Sequence, residues 1–528
     1  MNRLNEKKYL LSLFFISVVS FFSNICVRTA DLMEARNFIT AREMVKNGNY
    51  IVTTLNGNLR FEKPPLPTWL VAMMMKITNN FTDEWIFRIP VAIVGVISVF
   101  FIYYLVKYLT KNMVLSFLVG FVYSTTFMII KVGNESTWDF YTYAFALGMI
   151  TFLVKGMEGE KIKDFIISGV FLSGSILSKG PVGIYGLFIP FLMAHIYIFG
   201  IEKYRKNWKK IIILLLIGIG LSSLWPVIIY LKYHNIFLEV LKKEESTWMN
   251  SHKKSIFYYL DYFIYSGIWI FFTISIYIKN WNEKISDNKK YAKFIFLWNI
   301  LVLIGISVIK MKKKRYGIPL FITSSLGVGN ICYYFYTTTI ERLNKKEKLL
   351  INIQKIFIEI ILVGSIGFCI ALFLKEKISI IYFLVMSILY LSLLVNFILK
   401  LKKADITKEI VIWSGLIFLI INTTLNGLIN KNLIEKHSCG NEYKDLRILH
   451  YNPPKEEIYS KNFGIEDVWR IGKKINIYKE GIELPKNIVF FSDLPKEIKE
   501  KYLVLKKEKY INEVNEIVEI YFLEKRGD

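Results

Sequence analysis

Long apolar runs separated by short polar connections dominate the chain. Runs near 9–27, 88–107, 113–130, 139–155, 164–178, 181–200, 211–231, 257–278, 294–309, 316–336, 353–374, 378–399 and 410–428 each approach the length needed to cross a bilayer core, roughly 20 residues. They predict about thirteen transmembrane helices. The stretch from 164 to 200 would read as one over-long helix but for "SKGPVG" at 178–183, where Gly and Pro mark a break. From about 429 the pattern becomes mixed and charged. "LRILHY", "NIVFFS" and "EIVEIYFLE" read as strands, and "DLPKEIKEKY" as a short helix capped by its Asp. The expected fold is a polytopic α-helical membrane protein, residues 1–428, followed by a small α/β domain, residues 429–528.

Composition sharpens that picture. The chain has 528 residues, is 53% hydrophobic and 16% aromatic, and carries 68 Lys+Arg against 43 Asp+Glu; its mean hydropathy is +0.38. A chain both apolar and basic fits a membrane protein with cationic loops, and no nucleic-acid-binding pattern is present. Cys26, Cys332, Cys369 and Cys439 show no C-x-x-C spacing, which supports neither a disulfide framework nor a zinc finger. His437, Cys439 and His450 fit no zinc pattern either and read as incidental.

Lys and Arg crowd alternate connections, including "EKYRKNWKK", "ERLNKKEK" and "KLKKADITK". This bias puts the N-terminus in the cytoplasm and, with an odd number of spans, the tail outside. The first span reads as retained, not as a cleaved signal peptide, because no A-x-A-like site follows it. Two connections expected on the outer side are nevertheless basic: "KKEESTWMNSHKK" (242–254) and "KMKKKRYG" (310–317). Charge that opposes the topology signal points to an anionic ligand at the outer surface; a scatter of lysines without function is the alternative.

The outer loop 28–87 holds the most distinctive residues. Phe38, Ala41, Met44 and Val45 recur at helical spacing, which predicts an amphipathic helix lying in the headgroup plane. Asp31 and Glu34 open it with D-x-x-E spacing, readable as a helix cap or as a carboxylate held for chemistry. Asn56-Gly57 signals a turn, and "EKPPLPTW" follows. The prolines force Lys63 into an extended backbone beside Glu62, a rigidity suited to holding charge without reorganisation. Asp139 stands at the mouth of a span, where it is either a functional acid or a helix-dipole partner.

"EARNFITAREM", "NGNLRFEKPPLPTW" and "RIP" (88–90), with looser matches at "TWD" (137–139), "SKGPVG" and "KKKRYGIPL", resemble the membrane glycosyltransferases of the GT-C class. The nearest branch holds the lipid A aminoarabinose transferases and bacterial enzymes related to protein O-mannosyltransferases. The resemblance covers about residues 30–320. It implies a sugar donor linked to a polyprenyl monophosphate, and an outward-facing site and C-terminal domain in a bacterial inner membrane. It implies catalytic roles for Glu34 and Asp139, phosphate contacts by Lys63, Lys313, Arg315 and Tyr316, and a divalent metal (zinc or magnesium) held by Glu62 and His252. The family's acidic residue before Glu34 is Met33 here. Asp31 is the carboxylate available to replace it, which leaves the base open among Asp31, Glu34 and Asp139.

The expected reaction is transfer of the sugar, with inversion, to lipid A, another glycolipid, a glycan or a protein. Its leaving group is a phosphate dianion, so cations such as Lys63, Lys313, Lys314 and Arg315 would lower the barrier. The rival reading is a polyprenyl-lipid or polysaccharide transporter. Such proteins favour inverted repeats and paired broken helices, whereas one clear break and no repeat are seen here.

Overall fold

The structure is a computed structural model and describes residues 3–278, 281–375, 378–401, 405–436, 444–446, 448–511 and 517–526. The chain forms two compact units. One comprises Met1–Ile25, Glu62–Pro64 and Ile89–Asn426; the other comprises Cys26–Phe61, Pro65–Arg88 and Gly427–Asp528.

The first unit is helical. Among the described residues, eight helices are long and apolar enough to cross a membrane: Glu84–Thr110, Trp138–Gly159, Trp208–Lys232, Lys289–Val308, Lys314–Thr337, Lys345–Leu374, Ile380–Leu401 and Ile406–Leu425. A pair bent by 64°, Met113–Ser124 with Phe127–Gly133, makes a ninth if it counts as one span. The other four expected spans, 9–27, 164–178, 181–200 and 257–278, are helical but do not qualify. Arg3–Phe22 carries Glu6, Lys7 and Lys8, and Ile162–Lys179 carries Lys163, Asp164 and Lys179. Ile184–Phe188 is a π-turn leading into a helix of 11 residues. Ile256–Trp269 is a 3-10 segment kinked at Gly267 (φ 69°). Hydropathy alone reads apolar length but not helix type, so the count of thirteen is not reached by length and composition.

Small residues set the helix spacing in this unit. A Cβ on Gly218 would sit 2.4 Å from the Leu172 side chain, and one on Gly169 would sit 2.7 Å from the Leu214 carbonyl. The helices Ile162–Lys179 and Trp208–Lys232 therefore approach at glycine distance, as close-packed membrane helices do.

The second unit joins the loop 26–88 to the tail. Asn56 (φ 53°) and Gly57 (φ 79°) turn the hairpin of β1 (Thr54–Leu55) and β2 (Asn58–Leu59), as the Asn-Gly signal predicts. The tail contributes β3 (Lys444–Asp445), β4 (Glu457–Ser460), β5 (Ile475–Ile477), β6 (Asn487–Phe491), β7 (Tyr502–Ile511) and β8 (Ile517–Lys525). They form one sheet in the order β3-β7-β8-β6-β4-β5. Asn56 extends its edge: the side-chain amide donates to the Ile475 carbonyl (2.8 Å) and accepts from the Ile475 N–H (3.0 Å).

Three expectations change here. The helix Leu32–Asn47 forms, but it does not lie on lipid as an interfacial helix. Phe38 packs on Phe87 (5.3 Å) and Trp469 (5.2 Å), and Glu34, Asn37, Thr40 and Arg42 on its polar side are buried too. Loop and tail share one core that includes Ile39, Met44, Val71, Val468, Val489 and Ile520. The segment "LRILHY" is not a strand: Ile448–Tyr451 is a helical turn that places His450 against the Trp469 ring, 4.3 Å between centroids. The helix Lys496–Lys501 starts after Pro495, not at Asp493. His437 and Cys439 lie outside the described residues.

The two most deeply buried charges in this unit, Arg88 and Glu34, are matched to each other. Arg88, 1% exposed, forks onto Glu34 through Nε and Nη2 (both 2.9 Å), and Arg28 adds a third contact to Glu34 at 2.9 Å. Arg88 also donates to Glu84 (3.2 Å) and to the Arg28 carbonyl (2.7 Å). Removing one member strands a buried charge. Arg88→Met is expected to cost about 3–5 kcal/mol, read as a lower unfolding temperature of the full chain. Burial also pushes the His450 imidazole down to about 4, where its Nδ1 contacts the Trp469 carbonyl. The unfolded chain binds that proton below its ordinary value of 6.5 and the folded chain does not. Stability is therefore lost as pH falls from 6.5 toward 4, by about 3 kcal/mol in all. Hydrogen exchange at Ile465–Ile471 should accelerate across that range, and His450→Gln should flatten the response.

Candidate active site

In the membrane unit the chemistry gathers around Asp139. Thr137 leaves the helix at extended dihedrals and places Asp139 in the first turn of Trp138–Gly159, where the helix dipole favours an anion. Asp139 is 2% exposed, and its Oδ1 receives the ammonium of Lys179, itself 9% exposed. Lys179 is the last residue of its helix, which ends because Gly180 takes φ 70° and Pro181 follows. Each charge would cost several kcal/mol to hold alone out of water, so the pair fixes both side chains.

Aromatic rings and further cations enclose this pair. Lys179 Nζ lies 4.1 Å from the centre of the Tyr316 ring, a cation–π contact. Tyr143, Tyr185, Tyr259 and Tyr316 all sit within electrostatic reach of Asp139. Lys63 and Arg315 act on Lys179 as like charges. Lys63, which precedes Pro64 and Pro65, forms an ion pair with Glu244 at 2.9 Å. Glu244 belongs to the helix His234–Asn250 and also acts on Tyr316.

The two basic connections that ran against the topology signal meet here. Lys253 and Met311 form an antiparallel bridge, the Lys312 N–H donates to the His252 carbonyl (3.2 Å), and that of Lys254 to Lys310 (3.4 Å). Lys313 N-caps the 3-10 turn Lys314–Gly317 with extended backbone, and its carbonyl accepts from the Tyr259 hydroxyl (3.2 Å). Lys314 is engaged by Asp261 and lies over the rings of Tyr258 (4.3 Å) and Tyr265 (5.0 Å). Arg315 lies within electrostatic reach of both Lys179 and Tyr316.

The carboxylates at 31 and 34 belong to the other unit. Asp31 is the N-cap of Leu32–Asn47, accepting from the N–H groups of Met33 and Glu34 at 2.9 Å. Glu34 carries the Arg88 and Arg28 contacts described above. Both have structural work that the D-x-x-E spacing alone left open. Sequence reasoning missed Lys179 and Glu244. The signal for Lys179 was present in "SKGPVG", where the break that ends the helix also presents its lysine; nothing in the sequence marks Glu244.

The metal reading fares differently. Among the described residues no three His, Cys, Asp or Glu side chains come together to hold an ion. His252 is exposed on a left-handed corner (φ 50°).

The helical unit and the small sheet domain together have the fold of ArnT, a solved membrane protein. Residues 62–230 match the family model described as dolichyl-phosphate-mannose-protein mannosyltransferase. The chain is 26% identical over 377 residues to the undecaprenyl phosphate-alpha-4-amino-4-deoxy-L-arabinose arabinosyl transferase of Wigglesworthia glossinidia brevipalpis, covering 67% of this chain and 63% of that protein. Against the Yersinia enterocolitica protein of the same name, identity is 24%, with 56% and 53% covered. The chain thus matches about half to two thirds of the length of these relatives. ArnT from Cupriavidus metallidurans, bound to undecaprenyl phosphate, superimposes with a TM-score of 0.70 over 98% of both chains at 13% identity.

The buried pair makes a sharp prediction. Lys179→Met leaves Asp139 without its counter-charge and is expected to destabilise the chain by about 3–5 kcal/mol. The double variant Lys179→Met/Asp139→Asn should recover most of that loss, measured by thermal unfolding in nanodiscs.

Proposed function

We propose that this chain transfers a sugar from a polyprenyl-monophosphate carrier to an acceptor at the outer face of a bacterial inner membrane, the acceptor being lipid A or another glycolipid. The observation that carries the reading is the buried Asp139–Lys179 pair with Lys63 and Arg315 around it. In a fold of this type, that cluster offers fixed positive charge where a phosphate dianion would leave. The names of the curated relatives support an undecaprenyl-phosphate-linked pentose as donor.

In the transfer, an acceptor oxygen attacks the anomeric carbon as the bond from that carbon to the carrier phosphate breaks. The departing phosphate keeps the electron pair and gains negative charge. Lys63, Lys179 and Arg315 oppose that charge as it develops, the kind of preorganised stabilisation that lowers a barrier most. Lys63 must exchange Glu244 for phosphate to do so. Tyr316, under the Lys179 ammonium, limits where that cation can point. A hydroxyl acceptor would pass its proton to Asp139; a phosphate acceptor is already anionic and needs no base. Inversion follows from one direct displacement, without a covalent intermediate. Glu62 borders Lys63 in the rigid segment and serves here as a positioning residue.

A protein acceptor is the second reading, favoured by the family match over residues 62–230. The deciding experiment reconstitutes the chain with undecaprenyl-phosphate aminoarabinose and supplies lipid A or a peptide acceptor in separate reactions. Release of undecaprenyl phosphate with sugar on lipid A is expected. Carrier moved across the membrane without release would make the chain a transporter and overturn the proposal. Lys63→Ala should lower turnover by about a hundredfold or more. Glu244→Gln should instead tighten carrier binding by about tenfold, because the competing carboxylate is gone.

A further inference from the structure

A cavity lies in the same membrane unit, far from Asp139. It is bordered by Asn112, Ser286, Asp287, Lys289, Lys290 and Asn330, among others, and has a volume of about 540 Å³. Lys314–Thr337 connects the two places: it starts beside the Asp139 cluster with Tyr316 and reaches the cavity at Asn330 and Tyr333. Seventeen residues of helix separate Tyr316 from Tyr333, a rise of roughly 25 Å. The cavity therefore opens at the opposite membrane face, the cytoplasmic one in the proposed orientation.

Its polarity is that of an anion site. Two helix N-termini converge on it. Asn112 caps Met113–Ser124 by accepting from the Leu115 N–H (3.0 Å), and Asn288 caps Lys289–Val308 by accepting from that of Tyr291 (3.0 Å). Both helices present the positive end of their dipole there, and Lys289 and Lys290 add two full charges. Asn330 supplies an independent sign of a missing ligand. It borders the cavity, is 1% exposed, and its Nδ2 donor has no hydrogen-bond partner, while its Oδ1 accepts from Ser286 Oγ (3.2 Å). A buried amide left unpaired costs about 1–3 kcal/mol, so such groups usually await a partner. The carboxylate in the lining, Asp287, accepts from the Tyr333 hydroxyl (3.1 Å). Its charge offsets one of the two lysines, which leaves one positive charge and the two dipole ends in excess.

We infer that this cavity binds a phosphate group at the membrane face opposite the Asp139 site, with Asn330, Lys289 and Lys290 as its contacts. The group could be carried by an anionic lipid headgroup or arrive as free phosphate; the chemistry recognised is the same. This inference does not depend on the proposed transferase activity.

The test uses the full chain purified in detergent, with two probes titrated separately by calorimetry: phosphatidylglycerol in mixed micelles and inorganic phosphate. Binding of either supports the site, and the tighter of the two identifies the source. Asn330→Asp and the pair Lys289→Ala/Lys290→Ala should each weaken binding by about tenfold or more. Asp287→Asn should strengthen it, a gain that a misfolded variant could not give. Unchanged binding in all three variants, or no binding of either probe by the native chain, would overturn the inference.

Discussion

Everything in the membrane unit's polar cluster depends on one buried ion pair, Asp139 with Lys179. A lysine with other cations close by is pushed toward solvent or toward neutrality. Lys179 has Lys63 and Arg315 as like-charged neighbours and still lies buried. Asp139 is what makes that possible, and the Trp138 helix is what makes Asp139 possible, because its first turn stabilises an anion. The break at Gly180 is equally necessary: an unbroken helix would carry the chain past the point where Lys179 meets Tyr316.

The second unit uses the same physics for a different end. Arg88 and Glu34 are as deeply buried as Asp139 and Lys179, but their donors and acceptors meet one another in a fork that Arg28 and Glu84 complete. Such a network ties the two ends of the loop 26–88, at Arg28 and Glu34 and at Glu84 and Arg88, into one body. The Asp139 cluster is built differently. Lys63, Lys179 and Arg315 gather there as like charges, with Glu244 paired to Lys63 and Asp139 to Lys179. A compact self-paired network serves architecture, whereas a gathering of like charges suits an anionic ligand.

Much of this was legible in the chain because it rests on local rules. The Asn56-Gly57 turn, the helix after Asp31, the break at 178–183 and the apolar runs all follow from periodicity, capping and the conformational limits of Gly and Pro. Asp139, Lys63, Arg315 and Tyr316 stood out as charged or polar groups at span ends or on rigid backbone. What could not be read was pairing across distance. Glu244 looks like one acid in a lysine-rich helix until its contact with Lys63 fixes its meaning. The helix Leu32–Asn47 has the apolar spacing of an interfacial helix, yet Trp469, more than four hundred residues later, packs on its Phe38. "LRILHY" alternates well enough for a strand, but burying His450 against Trp469 holds it in a helical turn. Tertiary packing overrode local preference in each case.

The rigid "EKPP" segment resolves a difficulty that charge surplus creates. Within the loop 26–88, Glu62–Pro64 alone group with the membrane unit. A flexible lysine brought near Lys179 and Arg315 would swing away from them, and its entropy would favour that escape. Prolines on its C-terminal side remove much of that freedom, and Glu244 supplies the attraction that holds the ammonium in place. The arrangement is then poised for exchange. A dianion that takes Lys63 from Glu244 would also meet Lys179 and Arg315. The carboxylate it displaces sits part-exposed on the helix His234–Asn250, where water can receive it.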